Sequence, residues 1–209
     1  MFVLGHIGIT AGAYKAFDII LSGKNHAGNQ EAGDVYKNVR ADSGRRTGIS
    51  GLPRAIKGWI SRLDYRLVIA GSILPDIIDK PVSLLFGNTA TLSGRDYAHT
   101  LLFTLVLLIG GLVLLRYKRS WLLTISLSSV IHLILDQMWS YSVILFWPLL
   151  GPLPGAETIG WTSDRLFNML TIPEIYIPEI IGLVILMLML YRLVKKKSLT
   201  GFIRGGAIN

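Results

Sequence analysis

The sequence predicts an all-α protein, an integral membrane helical bundle of about five transmembrane or partly embedded helices with one basic surface helix. Composition is the first observation behind this prediction: 51% of the 209 residues are hydrophobic and only 16% are charged. The mean hydropathy is +0.51. The second observation is that the apolar residues form long runs, several of which approach the roughly 20 residues that cross a bilayer. We therefore expect one membrane-embedded domain over residues 1–209.

Three apolar runs are the clearest candidates for membrane spans. They are "HTLLFTLVLLIGGLVLL" at 99–115, "WLLTISLSSVIHLILDQMW" at 121–139 and "IYIPEIIGLVILMLMLYRLV" at 175–194. The second of these has tryptophan at both ends, which is typical of residues at the membrane–water interface. Each run predicts one helix that crosses or enters the membrane.

Two further runs, at 2–23 and 67–87, have the length of spans but carry charges. In the first, Gly8 and Gly12 form a small-residue face that favours close helix packing. Lys15 and Asp18, three residues apart, are expected to neutralise each other. In the second, Pro75 disfavours helix in the residue before it and predicts that a new helix starts there.

Residues 23–66 form a polar segment in which basic residues outnumber acidic ones. Its first half is Gly-rich and predicts a flexible loop, whereas "GLPRAIKGWISRLDYRL" has the apolar periodicity of an amphipathic helix. Such a helix lies either on the membrane surface or against its own chain, and periodicity does not separate the two. Because the basic residues lie between apolar runs, we expect membrane lipid as a partner and no nucleic acid.

Basic residues also predict the orientation, since Lys and Arg mark cytoplasmic loops. The basic stretches are the 23–66 segment, "RYKRS" at 116–120 and "RLVKKK" at 192–197. All three fall on one side if the N-terminus lies outside. The sequence thus predicts a multi-pass protein of the cell membrane with a cytoplasmic C-terminal tail.

On this topology, six ionisable residues fall at one depth near the outer face. A charged side chain at the bilayer centre costs roughly 2.5 to 3.5 kcal/mol, so several on separate helices need a common partner. A shared cation would be such a partner. The predicted metal ligands are His6, Asp76, Asp79, His99, His132 and Asp136.

The chain contains no cysteine, so any metal must be held by His, Asp or Glu. Imidazole and carboxylate ligands suit zinc first, with manganese or iron as alternatives, and a carboxylate-rich set can hold more than one ion. His132 and Asp136 project from one helix face at a spacing of four residues. The structural alternatives are a hydrogen-bonded packing role for His132 and a helix-capping role for Asp76.

The order of these motifs resembles a known family. His6, "GSILPDIID", "RDYAHTLLF" and "HLILDQMW" followed by "ILFWPLLGP" resemble the YdjM-like membrane-bound metal-dependent hydrolases, also called LexA-binding inner-membrane-associated hydrolases. The resemblance covers residues 1–22 and 67–150. It implies that the same six His and Asp residues bind metal. Because that family is similar to zinc-dependent phospholipase C, the resemblance also implies a phosphoester or phospholipid-like substrate.

Two departures from the family pattern concern the metal site. Gly94 stands where family members have the histidine of "HRG", and the aspartates are spaced "PDIID" rather than "PDID". The expected activity is metal-assisted hydrolysis at the outer membrane–water interface, with Asp79 or Asp136 as general base and Arg95 neutralising phosphoryl charge. The alternatives are a non-catalytic scaffold that binds a cytoplasmic partner through the basic segment, or a metal or ion transporter.

Overall fold

The computed structural model describes residues 3–22, 59, 63–86, 94–154 and 171–207. All regular secondary structure in these ranges is helical, which confirms the predicted all-α class. The helices are α1 (Val3–Ser22), α2 (Tyr65–Phe86), α3 (Leu101–Arg116), α4 (Trp121–Leu135), α5 (Ser142–Leu145), α6 (Pro173–Lys195) and α7 (Leu199–Gly205), with a 3-10 turn (Met138–Tyr141) between α4 and α5.

Helix α1 lies inside the bundle, in contact with α6, α2 and α4, and α4 also packs against α2 and α3. Glycines permit the closest of these approaches. A Cβ atom at either Gly8 or Gly182 would overlap the backbone of the partner helix, so α1 and α6 cross at these two residues. A Cβ atom at Gly71 would likewise overlap the backbone of α4 at Ile125. The packing role predicted for the small residues of the first run is therefore confirmed at Gly8.

The expectation of about five membrane spans is not confirmed. Among the described helices, α6 alone is long and apolar enough to cross a membrane by itself. A second span results if α4 and the helical residues from Met138 to Leu145 count as one span bent by 79°. Helix α3 is apolar but has only 16 residues. Helices α1 and α2 are long enough, but polar and charged side chains take up part of their length, and several of these are buried inside the bundle.

The prediction that a helix starts at Pro75 is wrong. Helix α2 begins at Tyr65, and Pro75 lies inside it. Proline has no N–H for the carbonyl group four residues earlier, which belongs to Gly71. The Ser129 hydroxyl of α4 donates to that carbonyl oxygen at 3.1 Å instead. A neighbouring helix therefore satisfies the acceptor that proline leaves open, and α2 continues.

Described residues next to the predicted cytoplasmic segments lie close together. Leu63, Leu115 and Phe202 pack against the same hydrophobic cluster. Arg66 donates to the carbonyl oxygen of Ile203 at 2.8 Å, which ties the start of α2 to the C-terminal helix. The described parts of these segments thus share one end of the bundle.

Most of the predicted loop and surface helix over 23–66 lies outside the described residues, which include only Trp59 and 63–66 of that segment. Trp59 is helical and buried. Its indole N–H donates to the Thr124 hydroxyl of α4 at 2.9 Å, and its ring meets that of Tyr14 edge to face. These contacts favour the alternative in which the apolar face of this segment packs against its own chain.

Candidate metal centre

The six predicted ligands meet at the end of the bundle opposite the basic stretches. They come from α1 (His6), α2 (Asp76 and Asp79), the loop before α3 (His99), and α4 with its C-cap (His132 and Asp136). The three histidines and Asp79 are fully buried, and the other two aspartates are no more than 8% exposed. Buried charges of this density require close partners, because each one has lost its hydration.

The imidazoles of His99 and His132 direct their Nε2 atoms into the same space. His132 Nδ1 lies 2.6 Å from the Ser72 carbonyl oxygen, and His99 Nδ1 lies 2.7 Å from Asp79 Oδ2. A carbonyl and an ionised carboxylate only accept hydrogen bonds, so each Nδ1 carries a proton. The two Nε2 atoms, which are the remaining ring nitrogens, approach each other to 3.3 Å. A contact between two ring nitrogens at this distance needs a cation between them, either a shared proton or a metal ion.

Asp79 supports His99 from behind rather than facing His132. Besides His99 Nδ1, its carboxylate accepts hydrogen bonds from the backbone N–H groups of Asp96 at 2.8 Å and Ala98 at 3.0 Å. This is the carboxylate–histidine pairing that fixes the tautomer and orientation of metal-binding imidazoles. Asp79 belongs to neither of the residue groups whose ligand atoms are close enough to share an ion. Its contacts are those of a positioning residue.

Asp136 lies between His6 and the guanidinium group of Arg95. Its Oδ1 lies 3.1 Å from His6 Nε2, and its Oδ2 lies 3.0 Å from the NH2 group of Arg95. The Oδ2 atom is also 4.0 Å from His99 Nε2. Asp136 is the C-cap residue of α4. It follows His132 by four residues, or about one helical turn, so both side chains lie on the same face of the helix.

Asp76 occupies the opposite side of the imidazole pair. Its Oδ1 lies 3.7 Å from His99 Nε2, and its Oδ2 lies 2.7 Å from Lys80 Nζ. One carboxylate oxygen is thus held by a lysine, while the other is directed at the histidines. Lys80 was not among the site residues predicted from the sequence, although its spacing of four residues from Asp76 on one helix is a signal for such a pair.

Among the residues that the structure describes, two groups of three could hold an ion: His6, His132 and Asp136, or Asp76, His99 and His132, all buried and with ligand atoms within 4.8 Å of one another. Since Nδ1 of the shared His132 already donates to a carbonyl, only its Nε2 is available, and it can ligate one ion. Neighbouring ligands of a tetrahedral zinc ion lie about 3.3 Å apart. The His99–His132 separation of 3.3 Å and the His6–Asp136 separation of 3.1 Å fit this spacing.

Glu179 is a second residue that sequence reasoning missed. It is buried in α6, and its Oε2 accepts a hydrogen bond from the backbone N–H of Gly5 at 2.9 Å. Gly5 precedes His6 in the first turn of α1, whose N–H groups have no partner within the helix. A carboxylate inside an otherwise apolar run was the signal that could have revealed this contact.

Gly94, which replaces a family histidine, has a φ angle of +76°. Glycine adopts this left-handed conformation without strain, whereas a side chain would disfavour it. Its N–H donates to Asp96 Oδ2 at 3.1 Å, which folds the loop that carries Arg95 and His99. The glycine therefore has a structural role in this loop.

The family model described as YdjM inner membrane protein matches residues 46–199. The chain belongs to the YdjM inner membrane protein family. This confirms the resemblance seen in the motifs, and it places the chain among inner membrane proteins. The matched range includes every residue of the centre except His6. The family description names no reaction, and no curated protein or solved structure matches the chain.

Proposed function

We propose that this protein is a membrane-bound metal-dependent hydrolase that acts on a phosphoester. The observation that carries the proposal is the pair of buried imidazoles whose Nε2 atoms lie 3.3 Å apart. Two carboxylates, those of Asp76 and Asp136, direct an oxygen atom at this pair. Such a set of nitrogen and oxygen donors is suited to a divalent ion, with zinc as the first candidate.

The ion would be held by the Nε2 atoms of His99 and His132 together with an oxygen of Asp76, with Asp136 and His6 beside this set. A divalent ion at such a site supplies Lewis acidity, which neutralises phosphoryl charge and acidifies water. Zinc and manganese both accept this mixture of imidazole and carboxylate ligands.

Arg95 is the side chain that would bind the phosphoryl group. Its guanidinium contacts Asp136 at 3.0 Å and lies 5.4 Å from the centre of the Tyr141 ring. Its side chain is 18% exposed, so a substrate can reach it from outside the buried cluster. Asp136, which contacts the arginine, would accept the proton of the attacking water. Asp79 is less suited to this role because it contacts Nδ1 of His99, whereas Asp136 lies on the Nε2 side of that ring.

We place the centre on the extracytoplasmic side of the membrane. The support is that the basic stretches, which mark the cytoplasmic side, lie at the other end of the bundle. Since the chain has no native cysteine, single cysteines at Gly28 and Ser163 can be labelled individually in intact cells. Only the second should react with an impermeant reagent. Reaction of both would contradict this placement.

The proposal is tested by measuring metal content and hydrolysis on the same protein samples. We expect purified wild type to contain a divalent ion, and His132→Ala and Asp76→Ala each to lose it. Metal-loaded wild type should hydrolyse a generic phosphodiester or a phospholipid. Asp136→Asn should lower the rate by about 100-fold or more, the scale of losing a base or a ligand.

Asp18→Asn is the matched control, because Asp18 is a partly buried aspartate that pairs with Lys15 away from the centre. It should keep both metal and turnover. Metal that persists in both alanine variants would show that the cluster is structural. If metal content depends on both His132 and Asp76 but wild type hydrolyses neither substrate, the metal site is retained and the hydrolase proposal is refuted.

A further inference from the structure

An apolar groove lies between α3, α4 and the turn that follows α4. Leu101 and Thr104 line it from α3, Leu133 and Ile134 from α4, and Met138 from the turn. Its surface is apolar throughout, because the Thr104 hydroxyl donates to the Thr100 carbonyl oxygen at 3.1 Å. The groove therefore offers hydrophobic contact and no hydrogen bonds.

One end of this groove adjoins the metal centre. Leu101 follows His99 by two residues, and Leu133 directly follows His132. Met138, which is 1% exposed, follows Asp136 by two residues. Three of the lining residues are thus within two positions of a residue of the centre, so the groove and the centre are built from the same chain segments.

The other side of the groove opens onto the outer surface of the bundle. Ile134 and Trp139 on its rim are more than half exposed, as are Val106 and Ile109 farther along α3. In an inner membrane protein, an exposed apolar helix surface of this kind faces lipid rather than water. Hydrocarbon chains are therefore the apolar ligands present at this opening.

The size of the groove limits what can occupy it. The cavity volume is about 180 Å³. An apolar cavity of about 150 Å³ holds one benzene molecule, so this groove has room for a short stretch of a single hydrocarbon chain. From Leu101 to Thr104 it extends about 5 Å along α3, which is too short to seat a helix of another protein.

Charges beside the centre suit an anionic head group. Arg95 and the 41% exposed side chain of Lys80 are both near the carboxylates of the site. Trp139 stands on the rim of the groove, and aromatic residues of this type prefer the head-group level of a bilayer. A lipid oriented by these residues would have its phosphate at the centre and its chain in the groove.

We propose that the groove binds the glycerol-proximal part of one acyl chain of an anionic glycerophospholipid, so that the phosphoryl group reaches the metal centre. This inference rests on the proposed function and names its substrate class. It also explains why the groove and the centre share chain segments: one rigid element positions both the tail and the head of the same molecule.

Photo-crosslinking tests occupancy independently of turnover. Wild type and Asp76→Asn would be placed in vesicles of phosphatidylethanolamine and phosphatidylglycerol. A small share of the phosphatidylglycerol would have a diazirine near the glycerol end of its acyl chain. In both proteins we expect cross-links at Ile134 and Met138. Val130 also lines the groove, and a phenylalanine there would fill part of it. Val130→Phe should lower the yield of cross-links at Ile134 and Met138 by about tenfold, as expected when the acyl chain loses one or two buried methylene contacts.

Val106→Phe is the matched control, because Val106 is a lipid-facing valine outside the groove lining. It should retain the cross-links. Ile134→Trp provides a second way to fill the groove if Val130→Phe does not fold, with the cross-link then read at Met138. Hydrolysis of the phospholipid should fall in both filled variants, whereas Val106→Phe should hydrolyse it at the wild-type rate.

The outcomes separate the two proposals. Cross-links in wild type without hydrolysis of any substrate would keep the lipid site and refute the hydrolase. Hydrolysis of the soluble phosphodiester without cross-links in the groove would keep the hydrolase and refute the lipid site. Equal cross-linking in wild type and both filled variants, or a cross-link between two protein chains at the groove, would also overturn the lipid assignment.

Discussion

Replacing Asp79 with asparagine distinguishes a metal ligand from a residue that positions one. In the structure Asp79 Oδ2 accepts from His99 Nδ1 at 2.7 Å and from the N–H of Asp96 at 2.8 Å. The N–H of Ala98 lies 3.0 Å from both carboxylate oxygens. An asparagine has one acceptor oxygen. If that oxygen takes the Oδ2 position, the contacts made there are kept, but an NH2 group replaces the Oδ1 atom that faced the Ala98 N–H.

The expected magnitudes follow from these contacts. A buried N–H left without any acceptor costs about 1–3 kcal/mol of folding stability, and the Ala98 N–H, which keeps the oxygen at the Oδ2 position, should cost less than this. Loss of the carboxylate behind a metal-binding imidazole weakens metal affinity by about 10- to 100-fold, or about 1.4–2.8 kcal/mol. Asp79→Asn should therefore bind zinc more weakly but still bind it, in the same coordination geometry.

The assay is a zinc titration against a competing chelator in detergent, with thermal unfolding measured on the same samples. Asp76→Asn is the comparison variant, because Asp76 directs an oxygen at His99 Nε2 and its loss should reduce affinity more than that of Asp79. The visible spectrum of the cobalt-substituted protein should be unchanged in Asp79→Asn. If this variant loses metal as completely as Asp76→Asn, then Asp79 is a direct ligand, as the sequence analysis expected, and the positioning role is refuted.

Two further predictions concern the scaffold. Gly182→Ala places a Cβ against the backbone of α1 and should lower stability by about 1–3 kcal/mol. Gly201→Ala, whose Cβ meets nothing within 4 Å, should leave stability nearly unchanged. Equal melting temperatures of the two variants in detergent would contradict the close crossing. The Arg66 guanidinium beside Asp64 holds the pKa of that carboxyl below its usual value. The ion pair therefore stabilises the fold above the unfolded-state pKa of Asp64, and this stabilisation is lost as the pH falls through the folded-state pKa. Wild type should thus be more stable than Asp64→Asn at neutral pH, and the difference should vanish in acid; a pH-independent difference would refute the ionic contribution.

The residues of the centre were predictable because their signals are local. Hydropathy shows that His132 and Asp136 lie in an apolar run, and a spacing of four residues puts them on one helix face. The cost of burying charge then implies that such residues meet, even though they are distant in sequence. The structure brings together all six predicted ligands, with Arg95 beside them.

The sequence did not predict which of those residues face the imidazole pair and which position another ligand. Asp76 and Asp79 are three residues apart on one helix, yet one faces the imidazole pair and the other lies behind His99. That difference depends on the loop before α3, which supplies His99 and the N–H groups that Asp79 binds. Spacing along one helix contains no information about where a separate loop will place its donors.

The sequence by itself determined the all-helical class, the membrane family and the types of side chain available to a metal, because these follow from composition, periodicity and local motifs. Tertiary structure decided the rest. Pro75 stays inside a helix because Ser129 of another helix bonds the carbonyl that it frees. Trp59 is buried because Thr124 accepts its indole N–H. In both cases the physical reason is the same: a polar group is satisfied by a partner far along the chain, and only the packing of helices determines which partner comes within hydrogen-bonding distance.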